Sequence, residues 1–183
     1  MKRFSLLFIS VAMACVLAFS LTGCFFFSND SKVIKDGLSD ALEQWKNYDS
    51  NLWQVEMKDA LKEFESLGIN SKDLVNAWIE GFDYKVGTVK INGNKATVEI
   101  TITCKQFYPA SAAADEKLSS VPGIETMTDA QITKKYGELL IAELKAAKPV
   151  TTTFTTTCTK KDKIWNEDTS SEQNYIDALM GQL

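Results

Sequence analysis

The stretch 82-FDYKVGTVKINGNKATVEITITC-104 decides the fold, because its apolar residues recur at every second position on either side of a short turn. Such alternation is typical of strands with one buried and one solvent-facing side. The Asn92-Gly93 pair predicts a tight hairpin turn between them. We therefore expect an antiparallel hairpin whose second strand points these residues at the core: Ala96, Val98, Ile100, Ile102 and Cys104.

The first strand of this hairpin changes phase at Gly87. Apolar side chains occupy even-numbered positions before this glycine and odd-numbered positions after it. One extra residue in a strand reverses the face of every residue behind it, so the shift predicts a β-bulge at Gly87.

Three amphipathic helices are predicted upstream of the hairpin. Apolar residues recur at helical spacing over 32–47, from Asp49 or Ser50 to a stop at Gly68, and from Ser71 to Gly81. Their apolar stripes need a large apolar partner, and the buried face of the hairpin supplies one.

Helices and strands are also predicted downstream of the hairpin. Residues 108–127 read as irregular with a short helix around 112–119, and Thr128-x-x-Gln131 has the form of a capping box that opens a helix before Pro149. The threonine-rich segment 150–159 and Ile164-Trp165 predict two strands, followed by a helix up to Gly181. The expected fold is α+β: N-terminal helices packed on a strongly bent antiparallel sheet of about four strands. A helix lies between the central strands, and a short helix ends the chain.

The N-terminus reads as an export signal. Lys2 and Arg3 precede an apolar run, which closes on Leu21-Thr22-Gly23-Cys24. This tetrapeptide resembles the bacterial lipobox, which implies cleavage between Gly23 and Cys24 and a diacylglycerol on the cysteine sulfur. The resulting division is a signal peptide at 1–23, a lipidated cysteine with a short tether at 24–31, and a single extracytoplasmic domain at 32–183.

The predicted location is the cell membrane, with the domain outside the cytoplasm, at the cell surface or in a periplasm. Residues 4–27 are also long enough to span a bilayer without cleavage, because Phe25, Phe26 and Phe27 extend the apolar run. The Thr-Gly-Cys sequence at the position of a cleavage site favours lipidation over that alternative. The bilayer is then the first expected partner, through the diacylglycerol anchor.

Composition argues against several classes of function. The chain has 20 basic and 24 acidic residues, and removal of the leader takes away two of the bases and no acid. An acidic domain is a poor nucleic-acid binder. The absence of histidine removes the usual neutral-pH general base and the commonest zinc ligand. We expect no catalytic residues, no metal and no cofactor.

Two cysteines remain in the predicted domain, Cys104 and Cys158. In an oxidising exterior such a pair suggests a disulfide, and we predict one between them. Two small buried residues that never bond are the alternative.

Taken together, several features resemble a group of small bacterial lipoproteins with domains of unknown function. They are the lipobox, the helices before the sheet, the segment 84–98 and the ending from Lys160 to Gly181. The folds of that group are similar to nuclear transport factor two-like or cystatin-like domains. This implies a cone of curved sheet around helices, with an interior that is packed or holds a ligand.

Aromatic side chains are the candidate ligand contacts. Trp53, Trp78, Tyr84 and Tyr136 offer large apolar faces with one polar group each. The alternative is core packing, which the apolar stripes of their helices favour for Trp53 and Trp78. The first hypothesis is a non-catalytic binding module for a small apolar or amphipathic ligand. The alternative is an envelope protein-interaction or structural domain with a packed core. The sequence leaves the oligomeric state open.

Overall fold

The computed structural model describes residues 29–181, so the predictions for Gly23, Cys24 and the leader lie outside the described residues. Within that range the chain forms six α-helices and four strands. In chain order they are α1 (Asp30–Glu43), α2 (Lys58–Ser66), α3 (Ser71–Ile79), β1 (Asp83–Asn92), β2 (Lys95–Cys104), α4 (Phe107–Ser119), α5 (Asp129–Ala146), β3 (Val150–Lys161), β4 (Ile164–Glu167) and α6 (Glu172–Met180). The α+β prediction with helices packed on a bent four-stranded sheet is confirmed.

The sheet is antiparallel throughout and runs in the order β1-β2-β3-β4. The register shifts between Val86 and Val89, which confirms the bulge at Gly87. Asn92 pairs with Lys95, so the turn residues are Gly93 and Asn94, one position later than expected. Gly93 supplies the positive φ of 61° that this two-residue turn requires.

The two faces of the sheet differ sharply because β2 and β3 place alternate residues on opposite sides. The inward residues of β2 are buried from Ala96 to Cys104, whereas Lys95, Thr97 and Glu99 are exposed. In β3 the threonines at odd positions share the outer face with them. A pair of helices, α4 and α5, connects β2 to β3; the sequence predicted α5 and only a short helix around 112–119 in place of α4.

Two helices differ from the sequence prediction at their starts. The expected second helix is broken: Leu52–Glu56 forms a π-turn before α2, which allows both Leu52 and Trp53 to point into the core. Helix α4 begins at Phe107 rather than near residue 112. Pro109 fits there because it lies in the first turn, where its missing N–H has no partner to lose. The capping box of Thr128 and Gln131 is confirmed at the start of α5.

Helix α1 runs antiparallel to β1 along the inner face. At its start, Lys160 Nζ contacts both carboxylate oxygens of Asp30 at 2.8 and 2.9 Å. At its other end the Tyr84 hydroxyl donates to the Ser39 carbonyl, and Lys46 lies 3.6 Å from Asp83. We call the end with the turns at 93–94 and 162–163 the hairpin end, and the opposite end, where Phe82 and Cys104 lie, the tryptophan end.

Candidate functional site

Three of the four tryptophans meet at the tryptophan end. Trp45, Trp53 and Trp78 pack edge to face, with ring centroids 5.1 to 6.0 Å apart. All three side chains are at most 5% exposed. Edge-to-face pairs of this kind add to the free energy gained by burial, so the cluster is a major part of the core.

A small cavity adjoins this cluster between α2, α3 and the π-turn. Its volume is about 10 Å³, and Trp53, Met57, Phe64, Trp78 and Phe107 are among the residues that line it. That is at the lower limit for one water molecule, and the walls are apolar. The space beside Trp53 and Trp78 is therefore filled by side chains and has no room for a small-molecule ligand.

The two tyrosines named as pocket residues lie elsewhere. Tyr136 is 1% exposed on α5, and its hydroxyl lies 3.0 Å from the Ser111 hydroxyl. Tyr84 lies on β1, where its hydroxyl donates to Ser39 and to the Glu43 carboxylate, both at 3.0 Å. Burial is the main cause that raises the pKa of each tyrosine to about 12. Of the four residues predicted to line a pocket, the structure brings together only Trp53 and Trp78.

The structure does not form the disulfide predicted between Cys104 and Cys158. Both thiols are free and buried, and β2 and β3 are neighbours as expected. However, Cys104 pairs with Val150 while Cys158 pairs with Ala96. The thiols are thus eight rungs apart along the ladder, about 26 Å at the usual strand rise, and a disulfide needs Cα atoms within about 7 Å. Burial raises the pKa of Cys104 to about 11 and of Cys158 to about 12, which keeps both thiols protonated near neutral pH.

A buried carboxyl group that the sequence analysis missed is Glu167, at the end of β4. It lies directly opposite Cys158, and its Oε1 accepts hydrogen bonds from Thr156 and from the Tyr175 hydroxyl, the latter at 2.9 Å. Its Oε2 is buried without a hydrogen-bond partner among the described residues. Burial raises the pKa of Glu167 to about 7 despite those two donors. Residues two positions apart in a strand share a face, so the buried Trp165 already indicates that Glu167 faces inward.

A second buried charge, Lys105, has partners that explain it. Its Nζ donates to Glu80 at 2.6 Å, while its carbonyl accepts from Trp78 Nε1 at 3.0 Å. The Lys105 ammonium in turn lowers the pKa of Glu80. Because the lysine joins the tryptophan cluster to an ion pair, its role is structural.

The outer face of the sheet is a polar surface made mostly of threonine. Hydroxyl groups pair across β2 and β3: Thr101 with Thr153 at 3.0 Å and Thr103 with Thr151 at 2.8 Å. The outward side chains of these two strands are exposed or half-buried, and the described helices pack on the opposite face.

Comparisons with known proteins give no family for the chain. No family model matches, and no curated protein matches. Among solved structures, one similar chain is from Bacillus subtilis, in a crystal structure described as that of a "putative lipoprotein (ycdA)". The identity is 16% and the TM-score 0.44, over 82% of this chain and 47% of that one. This chain therefore spans about half the length of that protein, and a likeness at this level carries no functional argument.

The described residues show neither a membrane-crossing helix nor a cluster of metal ligands. No helix in residues 29–181 combines the length and hydropathy needed to cross a bilayer. Nor does the described part of the chain gather three or more cysteine, aspartate or glutamate side chains in a group that could hold a metal ion.

Proposed function

We propose that this chain is a lipid-anchored protein of the cell envelope whose domain acts through its surface, as a non-catalytic protein-interaction module. The observation that carries the proposal is the packed aromatic core. It leaves a cavity of only about 10 Å³ beside Trp53 and Trp78, two of the four aromatic candidates for a pocket, and both side chains are buried there.

The anchor part of this proposal rests on the sequence. Leu21-Thr22-Gly23-Cys24 after a basic and apolar leader supports attachment of a diacylglycerol to Cys24. Intact mass of protein extracted from membranes tests it. We expect a chain that starts at Cys24 and carries the mass of the lipid, while a Cys24→Ser variant keeps its leader and lacks that mass.

The interaction part rests on the outer sheet face. A row of paired threonine hydroxyls is neutral, regularly spaced and held rigidly by the strands, which suits hydrogen bonding to the polar surface of another protein. A solvent-facing sheet without a partner has the same appearance, so a direct experiment is needed.

Site-specific photo-crosslinking in intact membranes separates the two cases. A photoreactive residue at Thr153 reports on the outer face, and one at Lys62, on α2, is the matched exposed control. We expect a discrete cross-linked species from Thr153 that is absent from Lys62. Equal or absent cross-linking at both positions argues against a partner at the threonine face.

The small-ligand hypothesis predicts a different result in native mass spectrometry. A retained ligand adds mass that disappears on denaturation, whereas a packed core gives the bare chain. We expect the bare chain.

A further inference from the structure

The start of the described chain lies at the hairpin end of the molecule. Asn29 caps α1, and Asp30 in the first turn is held by Lys160 of β3. The Lys160 backbone N–H donates to the carbonyl of Asn94 at 2.8 Å, which joins the second hairpin to the tip of the first. Any anchor that precedes Asn29 therefore enters the domain beside both hairpin tips.

The reach of such an anchor is short compared with the domain. Cys24 and Asp30 are separated by six residue steps, which span about 20 Å when fully extended. The nine residue steps of β1 alone cover about 30 Å from the tryptophan end to the hairpin end. A lipid on Cys24 thus keeps the hairpin end near the bilayer and leaves the tryptophan end farther away.

The hairpin end carries a charge opposite to that of the whole chain. Residues 90–95 and 160–164 contain five lysines and one aspartate, although acidic residues outnumber basic ones overall. Lys90, Lys95 and Lys161 share the outer face of the sheet by register and are exposed. None of these three forms an ion pair with another residue of the range 29–181.

Two partly exposed isoleucines lie at the same end of the sheet. Ile164 is 37% exposed and shares the outer face with the lysines, whereas Ile91 is 41% exposed on the inner face, opposite Ala96. Lysines interspersed with exposed aliphatic residues fit the interfacial region of an anionic bilayer, where phosphate groups meet acyl chains.

We infer that the hairpin end, defined by Lys90, Ile91, Lys95, Lys161 and Ile164, is a docking surface for anionic phospholipid headgroups. It fixes the orientation of the anchored domain, with the strands standing upright on the bilayer. The inference rests on the proposed lipid anchor at Cys24. Because the net charge of the domain is negative, the contact is directional, and screening confines the attraction to about 10 Å at ordinary salt.

The test uses the full-length lipidated protein in vesicles of phosphatidylcholine mixed with phosphatidylglycerol. A fluorophore is attached at Asn94→Cys on the hairpin end or at Asp83→Cys at the far end of β1, and a headgroup-attached nitroxide lipid quenches it. The buried thiols of Cys104 and Cys158 do not compete for the label.

Two triple variants supply the comparison. One changes Lys90, Lys95 and Lys161 to glutamine, and the control changes the equally exposed Lys58, Lys85 and Lys148 to glutamine. We expect strong quenching at Asn94 and weak quenching at Asp83. Quenching at Asn94 should fall by roughly half or more in the first triple variant, in high salt, or in vesicles of phosphatidylcholine alone. The control triple variant should match the wild type.

The outcomes separate the two proposals. Equal quenching at both labels, or quenching at Asn94 that ignores the three lysines, overturns the docking surface while the lipid mass on Cys24 still supports the anchor. Absence of that mass from membrane-extracted protein overturns the anchor, and the docking surface falls with it.

Discussion

The two ends of the sheet are built in contrasting ways. At the tryptophan end, three indole rings and Phe107 interlock with exposures of 5% or less. At the hairpin end, three lysines and two isoleucines are exposed, and the inner face holds a carboxyl group with one oxygen that has no hydrogen-bond partner among the described residues. The two ends differ in aromatic packing and in exposed charge. Substitutions should therefore affect stability at one end and contacts at the other.

The largest expected effect is at the tryptophan end. Trp78→Ala removes a ring that contacts Trp45, Trp53 and Phe107, so we expect a loss of about 3–5 kcal/mol in the free energy of unfolding. Urea unfolding measures it. Ile164→Ala, at the hairpin end, should cost less than about 1 kcal/mol. Similar losses for the two variants would break the contrast between the ends.

The second expected effect comes from the buried carboxyl group at the hairpin end. The pKa of Glu167 rises from its ordinary 4.5 to about 7 on folding, so the folded state favours the protonated form. Its favourable contribution is complete below pH 4.5 and is lost as pH rises through 7. Glu167→Gln avoids that loss and should be about 2–3 kcal/mol more stable than wild type at pH 8.

The pH comparison has its own control. At pH 4 the two proteins should unfold at nearly the same urea concentration, because both then carry a neutral side chain at position 167. A stability difference that does not change between pH 4 and pH 8 would show that Glu167 titrates at its ordinary value.

A smaller effect is expected from the ion pair that holds the start of α1. Asp30→Asn removes a partly exposed contact with Lys160, and we expect a cost of about 0.5–1 kcal/mol at pH 7. Lys160 lowers the pKa of Asp30, so the stabilisation is present above the ordinary value and is lost as pH falls. Asp36→Asn, which breaks a more exposed pair with Lys32, is the matched control and should cost less.

For the last comparison, the addition of a reducing agent, we expect no effect on stability. With the two thiols at opposite ends of the ladder, a reducing agent should leave the melting temperature of residues 29–183 unchanged. Thiol counting without reductant should find two groups after unfolding and very slow reaction before it. A count of no free thiols in the unfolded, non-reduced protein would support a disulfide between Cys104 and Cys158.

The hairpin and its bulge could be predicted from the sequence because they depend on residues that are close together along the chain. Alternation along 82–104 and a phase change at Gly87 are local properties, and the buried face of β2 matched them. The capping box at Thr128 is equally local. The register between strands that are far apart in sequence cannot be predicted in this way, because it does not depend on neighbouring residues. The pairing of Cys104 with Val150 is set by where α5 ends and β3 begins, so the sequence placed both cysteines inward without placing them together.

The candidate site was less predictable because its geometry depends on packing between distant segments. Tyr84 and Tyr136 look equivalent to the tryptophans in sequence, yet the structure places them on separate elements. The hydrogen bond from Trp78 to the carbonyl of Lys105 joins residues 27 positions apart, and no local sequence pattern predicts it. Even the π-turn at Leu52–Glu56 arises because the core accepts two adjacent large side chains there.

The contact between Asp30 and Lys160 also determines how the domain would bear mechanical load. A pull on the chain from its N-terminal side reaches α1 first, and Lys160 links the start of that helix to β3. Strand β3 is hydrogen-bonded on both sides, so the sheet shares the force among several strands. Under tension, α1 should detach from the sheet before any strand separates. We therefore expect that helix to be the first element to unfold under force.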